Sequence, residues 1–333
     1  APETPTLRCS GSSAGTGAGA AGGPEEAIVA DVPEEVRALA EERAARRAAR
    51  DFAAADQLRD RIAGFGWRVV DHPGGYRLEP LPPPSGPRRA SPREVPSALG
   101  EPVAFDATLG WIVEGWPEDV LRGIVSFERH HRGRRIQHVV ADVAGTDPGF
   151  WPPGLEVWNL ERGAGWAAAR NAGLRRSRGR IVLVVDGSVQ AEGDVLGPLE
   201  RTLADPSVGI CGPFGLVTED LRNFRESEGP DVDAIEGYLM AFRRDLLASG
   251  IAFDERFRFY RSADLELSFR IKDLGLRAVV VPAPVVRHEH RAWANTPPEE
   301  RERLSRRNFY RFLDRFRDRF DLTVAGSRRP PGS

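Results

Sequence analysis

The stretch from Gly163 to Ser188, GAGWAAARNAGLRRSRGRIVLVVDGS, decides the fold. A glycine-broken loop opens an alanine-rich helix, and the continuous apolar run after it is typical of a strand buried on both faces. That strand ends on a carboxylate, Asp186, which Gly187 and Ser188 follow. In an open α/β sheet this end of a strand lies at the ligand-binding edge. An acid there suits a hard divalent cation that holds a phosphate.

Strand and helix patterns alternate on both sides of this stretch. Apolar runs at 107–113, 136–140 and 155–160 precede it, and a helix is predicted from Glu118 to about His130. Further apolar runs follow at 208–217, 237–242 and 276–281, and a terminal helix is predicted at 299–320. Alternation of this kind predicts an α/β fold with a mostly parallel sheet and helices on both faces.

Composition places the chain among globular proteins. Its 333 residues are 41% hydrophobic and 29% charged, and its 47 basic residues nearly balance 49 acids. The balanced charge argues against a nucleic-acid partner. The sequence contains no run of about 18 apolar residues, so no transmembrane helix is predicted. With only Cys9 and Cys211, we expect neither a disulfide framework nor a cysteine metal site, and we expect a cytoplasmic location.

Composition also divides the chain into five segments. Residues 1–29 are rich in Gly, Ser and Ala and are expected to be disordered. Residues 30–80 form a small helical hairpin module, and the proline-rich residues 81–101 form a linker. The α/β domain is expected to occupy residues 102–323, and residues 324–333 a flexible tail.

The N-terminal module has helix and hairpin signals. Asp31 and Pro33 mark a helix start, with acids in the first turn. The pattern of the second helix, which stops at Gly64, places on one face Phe52, Ala55, Leu58 or Arg59, and Ile62. The segments 67–70 and 76–78 then flank a His-Pro-Gly-Gly turn, which predicts a small β-hairpin.

This module resembles the C-terminal end of cysteinyl-tRNA synthetases. The resemblance rests on AARDF at 48–52, ADQLRD at 55–60, GW at 66–67 and DHPG at 71–74. The catalytic signatures and zinc-binding cysteines of those enzymes are absent from the sequence. Because acids and arginines balance within the module, we favour docking or oligomerisation over tRNA contact. RNA association through residues 33–79 remains an alternative.

The helix with Arg170 and Asn171, followed by the strand ending on Asp186, resembles the family 2 glycosyltransferases. In that family an Ala-Arg-Asn helix precedes a strand with an Asp-x-Asp-like end. The resemblance covers residues 103–320 and is strongest at 163–188 and 236–293. It implies a GT-A-like fold, a nucleotide-sugar donor and a divalent metal ion, Mn²⁺ or Mg²⁺.

The same resemblance implies roles for the residues at this strand end. Asp186, Gly187 and Ser188 would bind the nucleotide sugar, and Asp186 would also hold the metal. Ser188 stands where the family has a second acid. Since two carboxylates hold a divalent cation better than one, we expect a ligand from elsewhere. His288 and His290 are the candidates, and the resemblance favours His288; plain surface imidazoles are the alternative.

Three further residues are candidates for the donor pocket. By the resemblance, Asp142 contacts the nucleotide base, although a capping acid in a turn explains it equally well. Arg170 and Asn171 are expected to line the pocket, since arginine pairs with phosphate bidentately. A salt bridge from Arg170 to a neighbouring acid is the alternative.

Asp264 is the candidate general base. It lies in the segment DERFRFYRSADLELSFR at 254–270, where the family has an acidic pair opening a helix. The second acid of that pair is the base in inverting members. Asp264 takes its place and Ala263 replaces the first acid, while Glu266 is the alternative position of the base. An acid that only stabilises the helix start is the structural alternative.

The terminal helix carries a phenylalanine stripe. Its pattern places on one face Phe309, Phe312 or Leu313, Phe316 and Phe320, and six arginines lie between residues 306 and 319. Such a helix could lie on an anionic membrane, which would place the protein at the inner membrane surface. Packing on its own domain is commoner, and we favour it.

The resemblance implies a glycosyltransferase that moves a sugar from a nucleotide diphosphate to an acceptor hydroxyl of a glycan, lipid or protein. Inversion with metal assistance is the expected mechanism. Because acids are replaced at Ser188 and Ala263, a degenerate, non-catalytic nucleotide-sugar binder or scaffold is the rival hypothesis.

Overall fold

The structure, a computed structural model, describes residues 32–65, 67–72, 74–80, 89, 91–161 and 163–327. The segments predicted to be disordered or linking at 1–29 and 81–88 lie outside these ranges, as do residues 328–333 of the predicted tail.

The N-terminal module consists of a helical hairpin and a β-hairpin. Its elements are α1 (Glu34–Ala48), α2 (Phe52–Gly64), β1 (Trp67–His72) and β2 (Gly75–Pro80). Ala55, Leu58 and Ile62 are buried in its core, as their spacing predicts, whereas Phe52 is 57% exposed. Phe52 therefore does not belong to the buried face. The buried Arg43 guanidinium donates to both carboxylate oxygens of Asp71, at 2.8 and 2.9 Å, and ties α1 to the hairpin.

The larger domain alternates strands and helices along its length. Its elements are β3 (Phe105–Val113), α3 (Pro117–His130), β4 (Ile136–Asp142), β5 (Glu156–Asn159), α4 (Trp166–Arg175), β6 (Gly179–Val185), β7 (Val189–Ala191), α5 (Leu196–Leu203), β8 (Val208–Gly212), β9 (Gly215–Thr218), β10 (Phe224–Ser227), β11 (Asp231–Val232), β12 (Ala234–Ile235), β13 (Leu239–Arg243), α6 (Asp245–Ala248), α7 (Ala263–Lys272), β14 (Arg277–Val280), β15 (Val285–Arg287), α8 (Arg291–Asn295), α9 (Pro298–Phe316) and α10 (Val324–Ser327).

An eight-stranded sheet forms the centre of this domain, in the order β11-β14-β8-β13-β6-β3-β4-β5. The pairs β14–β8, β6–β3, β3–β4 and β4–β5 are parallel, and the other pairs are antiparallel. Helices α3 and α5 pack on one face, and α4, α6 and α7 pack on the other. The predicted α/β fold with a mostly parallel sheet and helices on both faces is confirmed.

Strand register brings distant chain segments to one edge of this sheet. Val113 at the end of β3 pairs with Asp142 at the end of β4, and Gly110 pairs with Val184 in β6. The residues that follow β3 and β6 therefore emerge side by side. Because β13 is antiparallel to β6, it begins at the same edge, where Leu239 pairs with Val185.

Residues 91–101 pack against the domain instead of forming a linker. Val95 and Ala98 are fully buried, and the Ala98 amide donates to the Arg175 carbonyl at 2.8 Å. The Arg244 guanidinium donates to the carbonyls of Ala98, Leu99 and Glu101. The predicted boundary at 101 is therefore wrong, because contacts far along the chain give this proline-containing segment a buried position.

The C-terminal segment packs on its own domain. Phe312 and Phe316 of α9 are buried against Phe269 of α7, whereas Phe320 is 42% exposed. The Val324 amide, at the start of α10, donates to the buried Asp233 carboxylate at 2.6 Å, so residues 324–327 are not the flexible tail predicted. Among the described helices, none combines the length and apolar character that crossing a bilayer requires.

Glu266 makes the α7–α9 contact sensitive to pH. Its carboxylate is 2% exposed and accepts from Arg315 of α9 at 2.9 Å. Burial raises the Glu266 pKa from 4.5 to about 7, although Arg270 and Arg315 oppose the shift. A raised pKa in the folded state favours the protonated form. The contribution of Glu266 to the free energy of unfolding is therefore fully present below pH 4.5 and is lost as pH rises through about 7.

We therefore expect Glu266→Gln to lose less melting temperature than the wild type between about pH 5 and pH 8, because glutamine stays neutral throughout. Thermal unfolding at several pH values measures the difference. Parallel curves for the two proteins would show that Glu266 does not titrate with folding.

Candidate active site

Asp186 lies at the end of β6 with all its oxygens engaged. Its Oδ1 accepts from the Ser188 amide at 2.9 Å and from the Ser188 hydroxyl at 2.5 Å. Its Oδ2 lies 3.2 Å from Nε2 of His290. Burial alone would raise the Asp186 pKa, but hydrogen bonds from His290 and Ser188 and the charge of Arg170 lower it to about 2. Asp186 is therefore a stable anion.

Gly187 allows β6 to end close to α3. A Cβ added at Gly187 would lie 3.2 Å from the Val120 side chain, tighter than ordinary van der Waals contact. This tight turn, in which Asp186 binds Ser188, places residues 186–188 against the N-terminal part of α3.

The structure brings His290, and not His288, to Asp186. Strand β15 pairs with β7, so the His288 amide donates to the Ser188 carbonyl at 2.8 Å, and Nε2 of His288 lies 2.9 Å from the Gln190 side chain. His290 instead caps α8: its Nδ1 accepts from the Trp293 amide at 3.0 Å, which leaves Nε2 facing Asp186. The preference for His288 as the partner of Asp186 is corrected accordingly. Burial lowers the His290 pKa, but the contact with Asp186 raises it overall.

Glu114 is a site residue that the sequence patterns did not single out. It follows β3 directly, is solvent-accessible, and lines the same small cavity as Asp186 and His290. The surrounding protein and the Asp186 charge raise the Glu114 pKa to about 6. The sequence did offer one signal for it: Glu114 directly follows a buried strand that is parallel to the strand before Asp186.

Arg170 lies beneath this cavity. The side chain is 3% exposed, and its Nη1 donates to the Gly110 and Val185 carbonyls at 3.0 and 2.9 Å. Burial lowers its pKa to about 10, against the attraction of Asp186 and Glu114. In the described structure its Nε and Nη2 have no hydrogen-bond partner. Arg170 thus supplies buried positive charge behind the two carboxylates.

Asn171 and Asp142 serve the scaffold. The Asn171 side chain exchanges two hydrogen bonds of 2.9 Å with the Phe253 backbone, so it does not line the donor pocket as predicted. Asp142 is fully buried, and its carboxylate accepts from the amides of the turn at residues 144–146, at 2.8 to 3.0 Å. The turn-capping alternative describes Asp142, because no surface remains for a base contact.

Asp264 opens α7 beside a second, larger cleft. Its Oδ2 accepts from the Gly237 amide at 3.0 Å and its Oδ1 from the Leu265 amide at 2.9 Å. Ser262, two residues earlier, is the N-cap residue of α7 and has a φ of 64°. This left-handed conformation is strained for a non-glycine residue. Burial raises the Asp264 pKa more than these bonds and Arg261 lower it. The cleft has a volume of about 880 Å³.

Aromatic residues connect the cavity at Asp186 with the cleft at Asp264. The Tyr260 ring lies 4.5 Å from the His290 ring and 6.2 Å from Trp293, measured between ring centroids. Trp293 lines the cleft, whereas His290 lines the cavity. The cavity at Asp186 and the cleft at Asp264 therefore adjoin each other.

The donor set is incomplete for a metal held by protein alone. Within the described ranges, no group of three or more His, Cys, Asp or Glu side chains is arranged to hold a metal ion. Two carboxylates, Glu114 and Asp186, line one cavity and interact electrostatically.

Comparisons with known proteins show what this domain resembles in sequence and in fold. The family model for glycosyl transferase family 2 matches residues 135–266. The crystal structure of GalNAc-T7 with UDP, GalNAc and Mn²⁺ is similar in fold, with a TM-score of 0.52 and 14% identity over 63% of this chain and 48% of that chain. The domain thus has a GT-A-like fold, and its residues 135–266 are similar to the family 2 glycosyltransferases, as the resemblance implies.

Two other solved structures show weaker similarity, each with a TM-score of 0.43. The mannosyltransferase PcManGT from Pyrobaculum calidifontis, in complex with GDP-Man and Mn²⁺, is 23% identical over 60% of this chain and 62% of that chain. TarS 1–349 from S. aureus is 15% identical over 66% and 75%, respectively.

The N-terminal module matches cysteine–tRNA ligases over 51 residues. Identity is 57% to the protein from Opitutus terrae and 53% to cysteine–tRNA ligase 1 from Burkholderia lata. The match covers 15% of this chain and 11% of each ligase. It confirms the resemblance of the module. Several arginines of the module pair with acids within it, including Arg43 with Asp71 and Arg46 with Glu42.

Proposed function

We propose that the domain transfers a sugar from a nucleotide diphosphate to an acceptor hydroxyl, with inversion at the anomeric carbon. The observation that carries the proposal is the placement of Asp186 and Asp264 at one sheet edge, in adjoining parts of one site. Such a reaction needs stabilisation of the leaving diphosphate and a base for the acceptor. The cavity at Asp186 would supply the first, and Asp264 in the cleft would supply the second.

Asp264 is proposed to act as the general base. The amides of Gly237 and Leu265 hold its carboxylate at the cleft wall. Its raised pKa makes it a stronger base than an ordinary surface aspartate. In the proposed step, Asp264 takes the proton from the acceptor hydroxyl while that oxygen attacks the anomeric carbon opposite the departing diphosphate.

The cavity at Asp186 is proposed to receive the diphosphate. Asp186 and Glu114 would hold a divalent ion, Mn²⁺ or Mg²⁺, together with diphosphate oxygens; Mg²⁺ is commonly held by one or two carboxylates plus substrate phosphates. Support comes from the two carboxylates themselves: burial first and the Asp186 charge second raise the Glu114 pKa, and a bound cation would offset both effects. When bound, the ion supplies positive charge to the leaving group. His290 contacts Asp186 directly, and the buried charge of Arg170 attracts its carboxylate.

A non-catalytic nucleotide-sugar binder is the second candidate. It is favoured by Ser188, which stands where the family has its second acid and whose hydroxyl donates a hydrogen bond to Asp186. Ala263 likewise lacks the acid that would precede Asp264. Such a protein would bind the donor without turnover.

Nucleotide-sugar hydrolysis at micromolar protein separates the two candidates. For the transferase we expect slow release of nucleoside diphosphate from one member of a donor panel, faster with Mn²⁺ than with a chelator. Thermal stabilisation by the same nucleotide without release from any donor would favour the binder.

A further inference from the structure

We propose that the cleft beside Asp264 binds an acceptor that carries an anionic group, a phosphate or a carboxylate. This inference rests on the proposed function, because it names the class of acceptor for that site. It goes beyond the general base and concerns the opposite wall of the cleft, where α9 begins.

Two arginines from different elements meet over one aromatic ring in this cleft. Arg261 precedes α7 and Arg301 lies in the first turn of α9. Their guanidinium carbons lie 5.5 and 4.8 Å from the ring centroid of Trp293. Contact with an aromatic face holds a guanidinium group in place while its N–H donors remain free at its edge.

Neither guanidinium group forms a close ion pair in the described part of the chain, although Arg261 attracts the Asp264 carboxylate from a longer distance. No carboxylate oxygen there lies within 4.0 Å of Arg261 or Arg301, and neither side chain donates a hydrogen bond there. By contrast, two other acids of the cleft, Glu236 and Glu302, are already paired with arginines. Glu226 and Asp264 are the remaining acids of the cleft lining.

A third polar group points to a ligand at the same wall. The Ser305 hydroxyl oxygen, one turn along α9 from Arg301, is shielded from solvent and has no hydrogen-bond partner in the described structure. Two unpaired guanidinium groups and a hydroxyl donor match the several oxygens of a phosphate or carboxylate. An anion held there would place a neighbouring hydroxyl of the acceptor near Asp264, since Arg261 and Asp264 line the same cleft and their charges interact.

Binding of small probes to the full chain tests this inference. Glucose 6-phosphate, glucuronate and glucose are titrated calorimetrically at low salt. We expect both anions to bind more tightly than glucose, and the double variant Arg261→Gln/Arg301→Gln to weaken anion binding about tenfold or more. The probe with the larger loss identifies the anion as phosphate or carboxylate. Arg307→Gln, an exposed arginine of α9 outside the cleft, is the matched control and should change nothing.

The outcomes separate this inference from the proposed function. Equal binding of glucose and both anions by the wild type, or the same loss in Arg307→Gln, would overturn the anionic acceptor. Circular dichroism checks that each variant is folded, and UDP and GDP binding should stay unchanged in the double variant. Anion selectivity that depends on Arg261 and Arg301, without sugar transfer from any donor, would overturn the proposed function alone.

Discussion

Asp264→Asn is expected to reduce turnover by about 10²–10⁴-fold, the usual contribution of a positioned general base. Asparagine keeps the size of the side chain and can accept from one of the two amides, Gly237 or Leu265, that bind the carboxylate, but it cannot take a proton. Donor binding should persist, because the diphosphate cavity is formed by other residues. Initial rates with the active donor and thermal shifts with its nucleotide measure the two properties separately.

The pH profile gives a second readout for Asp264. A base must be deprotonated to act, so the rate of the wild type should rise with pH through the Asp264 pKa. Because burial raises that pKa, this rise should lie above the range of an ordinary aspartate. Asp264→Asn should lack it.

Glu266→Gln is the matched control on the same helix. The Glu266 carboxylate is buried toward Arg315 and does not line the cleft, so its loss should leave the rate unchanged. An inactive Glu266→Gln beside an active Asp264→Asn would show that the acid pair is misaligned. Full activity of both variants would place the base outside α7.

Asp186→Ala is expected to abolish stabilisation of the protein by a nucleoside diphosphate with Mn²⁺. In the wild type, ligand at a hundredfold excess over its dissociation constant should stabilise the fold by about 2.7 kcal/mol. The variant loses the carboxylate that we propose to hold the diphosphate through the metal, and it leaves His290 without its partner. Thermal unfolding with and without ligand measures the effect.

Asp318→Ala provides the comparison for this experiment. Asp318 is an exposed acid after α9, far along the chain from the diphosphate cavity and not among its lining residues. Its replacement should preserve the full ligand shift. An undiminished shift in Asp186→Ala would place the phosphate site elsewhere in the protein.

Local patterns in the sequence determined the elements and the main site position. The apolar run 181–185 has the composition of a strand buried on both faces, and in the structure β6 ends one residue before Asp186. The phenylalanine spacing of the last helix likewise indicates the face that packs on α7. These features were predictable because periodicity along one element reports directly which of its faces is buried.

Only the tertiary structure decided how side chains from distant segments meet. His290 rather than His288 faces Asp186 because β15 pairs with β7 and His290 caps the start of α8. Neither the strand pairing nor the cap is visible in a local pattern. Glu114 joins the site through the parallel register of β3 and β6. Asn171 leaves it, since the Phe253 backbone offers its amide two hydrogen bonds across 82 positions of the chain. Contacts between residues so far apart depend on strand order and helix packing, so a local sequence pattern carries no record of them.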